Sequence, residues 1–487
     1  MRIDKIRGSF SGHNFMIPGW TGITDVALNN REGISTLWLA LQYLVEPIYH
    51  ATRTPFTGQY KPTFVTTAPG KKQITISKVH NIANYAASTL TSFLIPAFER
   101  EIVIEPLVNL TKSERNWFNA LSIAVAELLK SPVTDLSNVV HSCLLTALHY
   151  GNCCLRILGN NGIFSLTEQD IYEVFIDLDY RTRDINRILW RQPDQINYQM
   201  YEYIANDNPD FIWKRVEGNQ NQAYFEEPIY MNEIVYARFK RDVATCYGVG
   251  PGIQNISLIE KIGKNIEELQ DVASYQAKPA IVNYVNEQKI QFSRGSIVHL
   301  TGNVGTFAPG GVPALPIQRS FSDQQLRELT ASYISDLKNA YYSEVAMMPE
   351  SPNMTAAEVG ARLEEKIGLL HPIVQNLQKE LIYPIVMAAA QFVIQESRKA
   401  NFTNTYLKND APISIQDLAR SQIKYTSRFE LMARKRHAEG LNVLTNAVVQ
   451  AAAIDPSLKE ALNLPQFLET VLETFSLDSK LLRDVNE

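Results

Sequence analysis

A chain of 487 residues has room for two to four domain-sized units. Its 45% hydrophobic and 20% charged content is that of an ordinary folded globular protein, and a net charge of −5 argues against tight, high-affinity gripping of duplex DNA while leaving a sliding contact open. The four cysteines, Cys143, Cys153, Cys154 and Cys246, include an adjacent pair and form no secreted disulfide framework, so a reducing compartment is expected.

The N-terminal MRIDKIRGSFSGHNF lacks the apolar core of a signal peptide. The longest apolar run, residues 382–390, falls well short of the ~20 residues a membrane span needs, so no membrane partner is expected. Residues 35–45 (STLWLALQYLV) predict a buried helix, and residues 55–72 read as loop. A second helix is predicted over 77–98, ended or kinked by Pro96, with a strand at 102–107 behind it. Thr111-Lys-Ser-Glu114 is a capping box, in which hydroxyl and carboxylate each satisfy an orphan backbone N–H. It predicts a helix through Leu129. A further helix is expected over 137–150, then Gly151-Asn152, then a strand at 153–158. From 160 to 240 alternation and β-branched or aromatic residues take over, with strands predicted at 171–178, 185–190, 211–216 and 234–240.

Tyr247-Gly-Val-Gly-Pro251-Gly252 breaks the strands. Ile256, Ile259, Ile262, Ile266, Leu269 and Val272 then recur at helical spacing up to Ala277, and Lys278-Pro279 stops the run. Residues 279–320 read as strand and loop, rich in glycine and proline. Their charge is +2, from Lys289, Arg294 and Arg319 against Glu287, and Lys278 makes it +3 in an acidic protein. That suits a DNA or acidic-partner contact as well as it suits chance. Ser322-Asp-Gln-Gln325 starts a second long helix ending near Tyr342, with Leu326, Leu329, Tyr333, Ile334 and Leu337 on its packed side. A short loop carrying Glu344, Val345, Met347, Met348, Pro349 and Glu350 follows, with no basic residue; such a surface repels phosphates. Thr355-Ala-Ala-Glu358 is another capping box, launching a helix that Pro372 and Pro384 should kink. Residues 397–424 look like a polar connection with a strand at 412–415, and helices are predicted from 427 onward.

Motifs with chemistry of their own are weak here. Gly248-x-Gly250-Pro251 lacks the third glycine and the context of a dinucleotide loop, and a turn launching a helix explains it better. Gly70-Lys71-Lys72 lacks the rest of a P-loop, which disfavours an ATP-driven motor. His141, Cys143, His149, Cys153 and Cys154 cluster without any zinc-site spacing, so buried thiols are the expectation and no metal or cofactor is assigned. Neither HExxH nor GxSxG occurs, and Glu267-Glu268 or Glu364-Glu365 read as solvated or intersubunit faces rather than catalytic pairs.

The words from Met354 to Val386 (Met-Thr-Ala, then Glu358-Val359, a Glu-rich turn, a proline, and Glu380-Leu-x-x-Pro384) resemble short-tailed phage portal proteins, also called head-to-tail connectors. Tyr247-Gly-x-x-Pro251, the helix–Gly151-Asn152–strand passage and the SFLIPAF segment are similar to the same family, although the aromatic pair expected after SFLIPAF is altered. The resemblance implies an α+β, mainly helical portal-protein fold. Its wing would comprise 1–252 and 355–424, its stem helices 253–277 and 321–342, its clip 278–320, its tunnel loop 343–354 and its helical crown 425–487. It implies a non-enzymatic protein: a dodecameric ring at the capsid portal vertex of the virion, present in host cytoplasm during assembly. Double-stranded DNA would pass through it during packaging and ejection. Terminase, tail adaptor, scaffolding and major capsid proteins would be partners. The alternatives are a nucleic-acid-processing enzyme, for which no P-loop or acidic metal cluster is visible, and another helical virion scaffold or tail protein.

Overall fold

The computed structural model describes residues 34–38, 40–42, 44–45, 71–95, 102–105, 112–160, 162–178, 184–191, 197–203, 213–219, 223–229, 231–242, 246–277, 281–283, 297–299, 314–316, 323–343, 370–398, 407 and 422–425. The described residues between 34 and 45 are helical, as the apolar run predicts, and Trp38, Leu41 and Val45 are fully buried. Trp38 sits edge-on to Tyr172 at 5.5 Å and to Tyr247 at 5.9 Å, geometries that the ring quadrupoles favour.

Helix α1 spans Lys71–Leu94, so Lys71 and Lys72 are helical where loop was expected, and the helix stops two residues before Pro96. Strand β1 is Ile102–Glu105. Helix α2, Lys112–Lys130, begins one residue after Thr111 of the predicted capping box. Helix α3, Leu136–Tyr150, closes on Gly151 at φ 77, whose N–H returns to Ala147 O at 2.8 Å.

Two antiparallel sheets follow. The first contains β2 (Asn152–Asn160), β3 (Ile163–Gln169) and β9 (Ile234–Arg238), in order β3-β2-β9. The second is a meander, β4 (Val174–Leu178), β5 (Ile185–Arg191), β6 (Asn197–Tyr203), β7 (Trp213–Asn219) and β8 (Ala223–Ile229). The strand predicted over 171–178 starts late, because Ile171–Glu173 is a 3₁₀ turn: the Asp170 carboxylate accepts from Tyr172 N–H at 3.0 Å. The prediction of four strands between 160 and 240 was too low; β3, β6 and β8 are additional. Across the meander, charges lie in ladders. Lys214 pairs with Glu226, and Arg215 is held between Glu227 and Glu233. Arg156 of β2 lies 4.6 Å from the centroid of Trp190 and ties the two sheets together.

After β9 the chain makes the short helix α4, Pro251–Gln254, breaks at Asn255, and continues as α5, Ile256–Ala277. A three-stranded sheet comes next: β10 (Ile281–Asn283) lies between parallel β11 (Ile297–His299) and antiparallel β12 (Ala314–Pro316). Helix α6, Asp323–Ala340, then packs back on α5. Helix α7 is the 28-residue run Leu370–Ser397, interrupted by a π-helical stretch at Gln378–Ile382. By length and composition α7 passes for a membrane span, which the short apolar run in the sequence did not suggest. It is a core helix: 78% of its most apolar window is buried inside the protein, with α2 and β2 against it and β9 against the π stretch. Strand β13, Gln422–Tyr425, pairs antiparallel with β1. The strand predicted at 412–415, the helix start at Thr355 and the helices beyond 427 lie outside the described residues.

Candidate functional site: the base of the helix pair

The glycine-rich turn after β9 is where the α5/α6 pair joins the body of the molecule. Its backbone lies against the C-terminal end of α3. A Cβ at Gly250 would fall 2.5 Å from Ala147 O, and one at Gly252 would fall 2.4 Å from His149 O. Real Cβ atoms do not approach a carbonyl oxygen so closely, so these positions require glycine for backbone contact, not for binding phosphate. Pro251 occupies the first turn of α4, where its missing N–H costs nothing. The exposed carbonyl end of α3 thus meets the N–H end of α4, and the two partial charges are opposite.

Side chains complete the joint by imitating backbone. Asn152 accepts from Gly248 N–H at 2.6 Å and donates to Gly248 O at 3.0 Å and to Tyr150 O at 3.0 Å. At the far side, where α6 returns, Tyr342 takes the left-handed conformation at φ 58 and ends the helix. Tyr341 Oη lies 3.2 Å from His149 Nδ1 and covers Gly252. Burial, helped by neighbouring His80, lowers the His149 pKa to about 3, and burial pushes the Tyr341 hydroxyl up. Both groups are therefore neutral at ordinary pH, and both ends of the helix pair rest on the last turn of α3.

A charged clamp holds the same corner from behind. Glu380, in the π stretch of α7, accepts from Arg238 backbone N–H at 2.9 Å, from Arg238 Nε at 3.1 Å, from its NH2 at 2.6 Å and from Arg241 Nε at 2.7 Å. Asn376, one turn earlier, donates to Arg238 O at 2.5 Å. Arg238 is 2% exposed and Glu380 7%. Around them, Lys379 and Arg241 reach Asp184 at 3.0 and 3.6 Å.

Away from its base the pair is open. Ile259, Ile262, Ile266 and Val272 of α5 are buried, as the helical spacing predicts. On α6 only Leu326, Thr330 and Leu337 are buried, with Tyr333 and Ile334 half-buried. Leu329, assigned to the packed side from sequence, is 45% exposed, because the covered stripe is narrower than the apolar one. The exposed pair Glu260–Lys264 at 3.0 Å adds little stability in water.

The residues expected from sequence to form a channel loop, Glu344, Val345, Met347, Met348, Pro349 and Glu350, lie outside the described residues, as do the basic residues Lys278, Lys289, Arg294 and Arg319. The segments bearing them start where α5 and α6 end. Cys143, Cys153 and Cys154 are buried free thiols. A hydrogen bond with Cys153, then burial, raises the Cys143 pKa, and burial raises that of Cys154. No group of three or more His, Cys, Asp or Glu positioned for a metal occurs among the described residues. A cavity of about 220 Å³ lies between α2, β1 and α7, lined mainly by Ile95, Ile102, Leu129, Leu136, Ile382 and Ile385. Nothing in the chain's sequence pattern singled out Asn152, Arg238, Tyr341 or Glu380 as a group. The one signal was two charges, Arg238 and Glu380, set beside apolar runs.

A family model described as bacteriophage head to tail connecting protein matches residues 206–482, more than half of the chain. No curated protein matches. Among solved structures, the neck of an empty GTA particle computed with C6 symmetry is similar at 12% identity and a TM-score of 0.34, over 69% of this chain and 92% of that one, a likeness too low to carry an argument.

Proposed function

The chain belongs to the bacteriophage head-to-tail connecting protein family, and from that premise we propose that this structural protein of the phage head-to-tail junction is a portal. In this reading it forms a ring at one capsid vertex, of twelve copies by family resemblance, around a channel for double-stranded DNA. Helices α5 and α6 form the stem, the β10–β12 region the clip, and residues 343–354 a loop facing the channel. The acidic, methionine-bearing character of that loop suits passage of DNA without gripping it. The ring nucleates capsid assembly with scaffolding and major capsid proteins, docks terminase during packaging and then holds the tail adaptor. It performs no catalysis and takes no cofactor.

The observation that supports the reading is the asymmetry of the helix pair. Its base is fixed to the body by the glycine joint, while α6 is covered on one narrow stripe and presents Gln324, Glu328, Leu329, Ser332, Ser335 and Asp336 outward. A closed ring needs heterologous contacts, one patch meeting a different patch on the neighbour, and an open face of this length offers one. Electron microscopy of the purified protein tests the proposal. Rings with a central hole wide enough for duplex DNA are expected; monodisperse monomers at high concentration would overturn it. Deleting Val345 to Asn353 should leave rings intact and impair packaging or retention of DNA, whereas loss of rings would show that these residues are not the channel loop.

A further inference from the structure

A buried ion pair is poor value for stability, since desolvating two charges consumes most of what their attraction returns. Arg238 and Glu380 are nevertheless both buried, and they meet where α7 departs from α-helical geometry. Within Gln378–Ile382 the hydrogen bonds run in π register, with Tyr383 N–H returning to Gln378 O. Pro384, which has no N–H to give to Glu380 O, fixes where the irregular stretch ends. Proline says nothing about the helix upstream of it. Closing the stretch to α register, with loss of the extra residue, would turn everything N-terminal to it by about 100°. What selects the observed phase is the grip of Asn376 and Glu380 on the carbonyl and N–H of Arg238.

Arg238 passes that grip onward. Its NH1 donates to Cys246 O at 3.3 Å, and its Cβ backs Gly248 so closely that a Cβ there would lie 2.8 Å away. Gly248 is bound to Asn152, and four residues later Gly252 rests on His149 and Tyr341. The contacts are contiguous from Asn376 to Tyr341, just past the end of α6, and the element at their head has two discrete registers open to it, π and α, which is what physical coupling between sites requires. We propose that Asn376 and Glu380 are a latch on the π stretch of α7. It sets the rotational phase of residues 370–377 and couples that segment to the base of the α5/α6 pair.

Hydrogen–deuterium exchange on the full chain tests this. The double variant Asn376→Ala/Glu380→Gln is expected to speed exchange about tenfold both in α7 and across residues 249–262. The control is Ile394→Ala, which opens a cavity at the far end of the same helix. It should speed exchange around its own site and leave 249–262 unchanged. The proposal is overturned if the latch variant's effect stops at α7 and β9, or if Ile394→Ala speeds 249–262 equally. The measurement is read on the chain whether or not it closes into rings, so it stands or falls independently of the portal reading.

Discussion

Replacing Glu380 by Leu would remove the buried carboxylate that accepts from the Arg238 guanidinium, which is 2% exposed. Four N–H groups lose the carboxylate that accepts from them, and three of those groups belong to Arg238. Arg241 is 31% exposed and can turn to water, so its loss is small. Arg238 is enclosed by β9, Gly248 and α7 and has no such exit. Breaking a buried pair from one side costs about 3–5 kcal/mol, whereas replacing both partners by apolar groups of similar volume is often near neutral. Glu380→Leu should therefore lower the urea midpoint by about 1 M or more, and Arg238→Met/Glu380→Leu should recover most of that. Urea titration followed by tryptophan fluorescence and far-ultraviolet circular dichroism supplies both numbers, and the double-mutant cycle isolates the coupling. A loss under about 1 kcal/mol for Glu380→Leu would refute the reasoning. So would a double variant as unstable as the single one, because the cost would then lie in packing and not in the stranded charge.

Gly252→Ala places a methyl group against His149 O and under Tyr341, and should cost about 1–3 kcal/mol in urea melts through overpacking; a change within error would mean the α3–α4 contact is looser than it looks. His149 has a folded-state pKa of about 3, below the 6.5 of an exposed imidazole, so the folded chain binds fewer protons between those values. Its contribution is intact above about pH 6.5 and is lost as the pH falls toward 3, amounting to about 5 kcal/mol at most. The stability difference between wild type and His149→Phe, followed by urea melts across that range, should shrink by up to that amount, and a flat difference would place His149 in contact with water. Leu329→Arg should leave the melt of the dissociated chain within about 0.5 kcal/mol, as a surface change does. It should reduce the yield of rings seen by electron microscopy, and undiminished rings would remove the open face of α6 from the intersubunit contact.

Local signals were legible and distant ones were not. The helix over Lys112–Lys130, the isoleucine stripe of α5 and the Tyr247–Gly252 turn each have signals that act within a few residues, so one stretch of sequence carries the cause. Strand β6, NYQMYEY, shows no apolar alternation, because what holds it is backbone pairing on both edges, with β5 and with β7, which its own stretch of sequence does not reveal. Strand β13 pairs with β1, more than 300 residues earlier. The same applies to the clamp. Glu380 read as part of a family word, and only the folded chain brings it to Arg238, 142 residues away. The glycines were assigned to a turn that launches a helix, and the structure adds the reason for their number: the turn lies flat on the end of α3.

Three side chains at this joint do the work of backbone. Asn152 supplies Gly248 with both a donor and an acceptor, and Asn376 and Glu380 do the same for Arg238. A sheet ladder would satisfy these groups as well, but it would fix β9, the turn and α7 in one register and release them only by unfolding. Side-chain substitutes are satisfied just as completely, so no buried N–H or C=O is left unpaired at these two positions. They differ in that a small rotation of one helix withdraws both partners together. If the helix pair lines a channel through which a long molecule passes, its base must be firm at rest and still able to respond to α7. Hydrogen bonds borrowed from side chains of α7 meet both demands, and a continuous ladder meets only the first.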